Sequence, residues 1–124
     1  MISSLLLRVS TALLLVGMTV GIIMGIEENF ALAPAHAHLN LIGFVLMFLV
    51  GLYYRMVPAA GKGPLAGVQA GLHILGALVF PLGIAVADFG GTPIFAIVGS
   101  LIVLSAMLLF ALIVSRTSPL WGTG

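Results

Sequence analysis

Two histidines stand one residue apart in the stretch Pro34-Ala35-His36-Ala37-His38-Leu39-Asn40, within a chain of 124 residues that is 62% hydrophobic. A neutral imidazole is a ligand for haem iron, zinc or copper, and the hydrogen bond made by one ring nitrogen decides which nitrogen binds. The local backbone sets how many partners the pair needs. In an extended chain, residues i and i+2 share a side and could chelate one ion. In an α-helix, at about 100° per residue, the rings diverge by about 200° and ask for two partners.

The residues around the pair favour the helix. Pro34 suits a first helical turn, where its missing N–H costs nothing. The run from His36 then continues without a breaker to Pro58. His36 shares its face with Asn40 and Gly43, and His38 shares the opposite one with Ile42 and Val45. Haem suits such divergence, because each flat ring takes one axial ligand from each side. Gly43 and Gly51 would leave room on the helix for a porphyrin. The plainer alternative is that both imidazoles are hydrated near a headgroup region. That reading weakens for rings on opposite faces, since ionisable groups within membranes are usually functional or paired.

The elements that must position this pair follow from composition. Only 6% of residues are charged, 4 basic and 3 acidic, against about 25% in soluble domains. Mean hydropathy is +1.36. These values define an all-α integral membrane protein. Four apolar runs, at residues 2–26, 34–58, 64–87 and 93–115, each reach the roughly 20 residues that a spanning helix needs, and form one domain. The runs are uniformly apolar, which excludes the alternation of a β-barrel. The first is too long for a signal-peptide core and lacks a small-residue cleavage site after it. There is no cysteine, so disulfides, thiolate sites and iron–sulfur clusters drop out. The few cations give no patch for nucleic acid.

Charge then orients the helices. Arg8, Arg55, Lys62 and Arg116 fall at one end of the four runs; Glu27, Glu28 and Asp88 fall at the other. The positive-inside rule makes the basic end cytoplasmic, with both termini there and the His36–His38 end at the outer face of the inner membrane. Gly17, Gly21 and Gly25 in the first run, and Gly67 and Gly71 in the third, repeat a spacing that lets helices approach closely. Pro81 should kink the third helix or be accommodated by its neighbours. Tyr53 and Tyr54 read as interfacial anchors. His73, one turn from Gln69, reads as a hydrogen-bonded pair across a helix interface, with a second ligand site as the alternative.

The 23 residues from His36 to Pro58 resemble a haem-binding helix of haem–copper oxidase subunit I, the catalytic subunit of terminal oxidases and nitric oxide reductases. In that family a His-x-His at the outer end ligates two haems, and a proline closes the helix on the cytoplasmic side, as Pro58 does here. The resemblance implies haem b, with His36 and His38 as iron ligands and Asn40 and Gly43 beside it. The family's subunit has twelve or more helices, described as three four-helix arcs. This chain has the size of one arc, with its histidine pair on the second helix. A homotrimer would therefore resemble one oxidase core, with His36 of one protomer and His38 of the next sandwiching a haem. Electron transfer with a redox partner or quinol, in the bilayer, is the implied role.

The oxidase chemistry itself finds less support. His73 is placed about 20 Å from the histidine pair along the axis, from helix rise, too far for a shared copper. No active-site tyrosine stands near the pair, and no arginine stands at the outer face for haem propionates. Two further functions are open: a small proton-coupled or multidrug-type transporter, and a zinc or copper site built from His36 or His38 at an oligomer axis. A transporter of that kind would be expected to carry a carboxylate within the membrane, and none of the four runs has one at its middle.

Overall fold

A computed structural model describes residues 1–117, and their secondary structure is entirely helical. Four helices are long and apolar enough to cross a membrane: α1 (Ile2–Glu27), α2 (Ala33–Met56), α4 (Pro64–Asp88) and α5 (Ile94–Thr117). A short helix, α3 (Pro58–Lys62), lies between α2 and α4. The chain is a multi-pass membrane protein.

The helix boundaries follow local chemistry. α1 stops at Glu28, which takes the left-handed conformation at φ 52°. α2 starts with Pro34 in its first turn. Its end differs from the expected Pro58: the helix stops at Met56, and Val57 is extended at φ −123°, ψ 79°. Proline disfavours helical backbone in the residue before it, so Pro58 ends α2 early and opens α3. Pro64 likewise opens α4. Pro81 is buried within α4, which runs on unbroken to Asp88. The glycines of the last connection, Gly90 (φ 89°) and Gly91, close the turn between α4 and α5.

α2 and α4 form the central pair. α1 packs chiefly on α2, and α5 packs along α4. The α4–α5 contact is close because both sides use glycine. A Cβ on Gly83 would run into the backbone of Phe95 and Ala96, and one on Gly99 would lie 2.5 Å from the Phe80 Cα. At the opposite end, Tyr53 and Tyr54 both meet Phe110 edge-on, at 5.5 and 5.9 Å between ring centroids, which joins α2 to α5. Arg55 donates to the hydroxyls of Ser3 and Ser4 and ties α2 to the start of α1.

α2 is not α-helical throughout. Residues Leu39–Leu46 form a π-helix, flanked by α-helical turns on both sides. Such i→i+5 stretches are rare and concentrate at functional sites. This one begins immediately after His38.

Candidate functional site: the histidine end of α2

His36 and His38 lie in the α-helical first turns of α2 and point to different neighbours, as their spacing predicts. The His36 ring packs on α1. A Cβ on Gly21 would sit 2.9 Å from its Cε1, so a glycine is what admits the ring. Asn40, one turn later, fills the corresponding space at Gly17, where a Cβ would overlap its Oδ1. The two close-packing glycines of α1 thus seat two polar side chains of α2. Gly25, the third of the series, has open space around it, as do Gly67 and Gly71 on α4.

The hydrogen bonding of the pair is incomplete. Asn40 Nδ2 lies 3.4 Å from His36 Nε2, a long contact. His36 Nδ1 and Asn40 Oδ1 are buried without a partner among the described residues. Buried polar atoms of this kind are uncommon and call for an explanation. Carbon atoms of His36 also line an apolar groove between α1, α2 and α4, walled by Val16, Leu39, Pro81, Leu82 and Ala85 among others.

His38 turns the other way, to α4. Its ring meets Phe80 edge-on at 4.9 Å. Its Nδ1 lies 2.7 Å from the Pro34 carbonyl. A carbonyl only accepts, so Nδ1 carries the proton and Nε2 holds the lone pair. A backbone carbonyl on one ring nitrogen is the usual outer-shell arrangement for a histidine that ligates metal through the other.

Gly43 does not leave space for a cofactor. Its Cβ position is 3.1 Å from Leu13 Cδ1 of α1, and that of Gly51 is 3.2 Å from Leu6 and Leu7. Both glycines serve the α1–α2 contact.

His73 belongs to a separate, closed network. It is fully buried. Nε2 donates to the Ile42 carbonyl of α2 at 3.0 Å. Nδ1 then accepts from Gln69 Nε2 at 3.4 Å, a contact as long as that of Asn40 with His36, and Gln69 Oε1 accepts the Tyr54 hydroxyl at 2.8 Å. Both nitrogens are occupied, which bears out the expected Gln69–His73 pairing and leaves no lone pair for a metal. Tyr54 is therefore not an interfacial anchor: it is 2% exposed and binds α4. Tyr53 also has an internal partner, the carbonyl and hydroxyl of Thr117. The expected axial gap of about 20 Å shrinks too. His73 stands level with Ile42, only four to six residues from the histidine pair, or about 6–9 Å of helix rise. Among the described residues, no three His, Cys, Asp or Glu side chains come together to hold an ion.

The chain matches no family model, no curated protein and no solved structure.

Proposed function

We propose that this protein is a haem-b-binding membrane cytochrome that transfers electrons, resembling one four-helix arc of oxidase subunit I and working as a homotrimer in the inner membrane. The observation that carries the reading is His38. Its Nδ1–H is committed to the Pro34 carbonyl at 2.7 Å, which orients Nε2 as a free ligand nitrogen. Two features at this end support a porphyrin, on different faces of α2: His36 borders an apolar groove, and His38 lies outside it against Phe80. The groove walled by Val16, Leu39, Pro81, Leu82 and Ala85 is apolar, as a macrocycle requires, and His36 beside it has an unpartnered buried nitrogen.

In the trimer, His36 of one protomer and His38 of the next would hold the haem iron. His36 must then turn from its seat on Gly21 toward the groove. When bound, the haem supplies one-electron chemistry. The chain's own part is to fix the His38 tautomer, exclude water with the apolar wall, and hold the histidine end at one depth through the α1–α2 and α2–α4 contacts. The four basic residues gather at one end of the bundle and the three acids at the other, which under the positive-inside rule supports an outward-facing histidine end.

Spectra of the purified protein, oxidised and dithionite-reduced, test this directly. A Soret band and a reduced α band are expected. His38→Ala should abolish haem binding, and His36→Ala should convert a low-spin spectrum to a high-spin one. Colourless protein that carries stoichiometric zinc or copper would replace haem with a metal site. Unchanged spectra in both variants would overturn the ligand assignment, and a monomeric mass would overturn the trimer.

A further inference from the structure

The π-helical stretch of α2 lies between the histidine end and the packed inner half, and it touches the buried polar chain at one atom. His73 Nε2 donates to the carbonyl of Ile42, which lies in the middle of Leu39–Leu46. We infer that His73 is a positioning residue: its hydrogen bond holds α2 in the π register, and that register sets the direction in which His36 and His38 point.

The two registers leave His73 in different positions. A π-helix is rare beside the α-helix and appears mostly as short insertions, frequently at functional sites. Within a membrane, a buried N–H has no water to turn to and must find an acceptor in the protein. His73 is fully buried, and its other nitrogen is taken by Gln69. Gln69 is itself fixed by Tyr54. The imidazole therefore cannot swing to another acceptor without breaking a three-residue chain. Ile42 supplies the carbonyl where α2 passes α4. Returning Leu39–Leu46 to α register would remove roughly one residue from the winding, turning the outer end of α2 by about 100° against the inner half. That rotation would carry Ile42 away from His73. It would also unseat His36 from Gly21, Asn40 from Gly17 and His38 from Phe80. The chain Tyr54–Gln69–His73 thus ties the histidine end to the inner half of the same helix, through α4.

The register part of this inference stands apart from haem, whereas its consequence for ligation rests on the haem reading. The chain has no native cysteine, so introduced pairs report on register cleanly. Gly43 and Leu13 face each other with 3.4 Å between the built Cβ of the glycine and the leucine Cβ, and Gly51 and Leu6 with 3.2 Å. Both lie close to the spacing of a disulfide, about 3.5–4.5 Å. Leu13→Cys with Gly43→Cys reports the π stretch, and Leu6→Cys with Gly51→Cys reports the inner half. In membranes, both pairs should cross-link when His73 is present. His73→Leu should reduce the first to background and leave the second. His73→Gln, whose amide keeps an N–H at similar reach, should restore it. An unchanged first pair in His73→Leu overturns the inference, as does joint loss of both pairs, which would make His73 a support of the whole bundle. Failure of Gln to rescue overturns it as well. In haem-loaded protein, His73→Leu should change the spectrum and His73→Gln should not. Wild-type protein without a Soret band would sink the haem reading and leave the cross-linking result to stand.

Discussion

Replacing Gly17 with alanine puts a methyl group where Asn40 Oδ1 now sits. The clash is with Oδ1 and with Cγ, which would lie 2.9 Å from the new carbon, while Nδ2 at 3.5 Å would stay in ordinary contact. Asn40 must swing aside, or α1 must move off α2. Overpacking of this kind costs about 1–3 kcal/mol. Alanine offsets part of it, being about 0.8–1.0 kcal/mol better than glycine within a helix. Gly25→Ala separates the two terms. It lies on the same helix, with nothing within 4 Å of its Cβ position, so it keeps the propensity gain and meets no clash. The difference between the two variants should therefore be about 1–3 kcal/mol, with Gly17→Ala the weaker protein. Gly21→Ala, which meets only the edge of the His36 ring at 2.9 Å, should fall between them. Reversible unfolding in mixed micelles measures all three. A fourth variant checks the cause: truncating Asn40 to alanine in the Gly17→Ala background should recover most of the loss, because the methyl then has somewhere to go. Equal stability of Gly17→Ala and Gly25→Ala, or additive losses in the double variant, would refute the seating of Asn40 on Gly17.

Gly83→Ala should cost more than Gly17→Ala, toward the upper end of about 1–3 kcal/mol, because its Cβ meets backbone of Phe95 and Ala96 that cannot rotate away; the same unfolding assay ranks them. Tyr54→Phe leaves Gln69 Oε1 buried without its donor and should cost about 1–3 kcal/mol. Gln69→Leu in that background should then cost less than it does alone, and additivity would show that the two do not bond. For topology, Lys62→Cys should react with a membrane-impermeant thiol reagent only from the cytoplasmic side and Asp88→Cys only from the outer side. The opposite pattern would invert the orientation.

The sequence makes the membrane spans legible because their signal is additive: each run needs only enough apolar residues in a row, and all four helices appear within two residues of expectation. The divergence of His36 and His38 is legible for a similar reason. It depends on local winding alone, and Pro34 secures that winding at the start of α2. What escapes are the features decided between helices. The same glycine spacing occurs in α1 and α4, yet Gly17 and Gly21 seat side chains while Gly67 and Gly71 face open space; the difference lies in which helix Asn40 and His36 happen to meet. Gly43 looks free for a ligand on its own helix and is filled by Leu13 from another. Tyr54 sits at the depth of an aromatic anchor, and only the proximity of Gln69 turns it inward. The π stretch has no local signature at all, since the group bonded to it, His73, is 31 residues away.

The two polar clusters of the bundle differ in a way that separates support from site. The first, Tyr54–Gln69–His73, joins α2 to α4, ends on a backbone carbonyl and leaves none of the atoms that define it unbonded. Closure of that kind is what hydrocarbon demands of a structural group, because an open N–H would find no water. The second, His36–Asn40, also has buried polar atoms but stays open, with a nitrogen and an oxygen unpartnered among the described residues. Proteins satisfy buried polar atoms almost everywhere and depart from the rule where a ligand completes the set. A chain that closes one cluster fully could have avoided the other by putting leucine at both positions 36 and 40. That it carries a second imidazole there, seated on a glycine and one helical turn from an asparagine, is the physical reason to look for the missing partner at this end of α2.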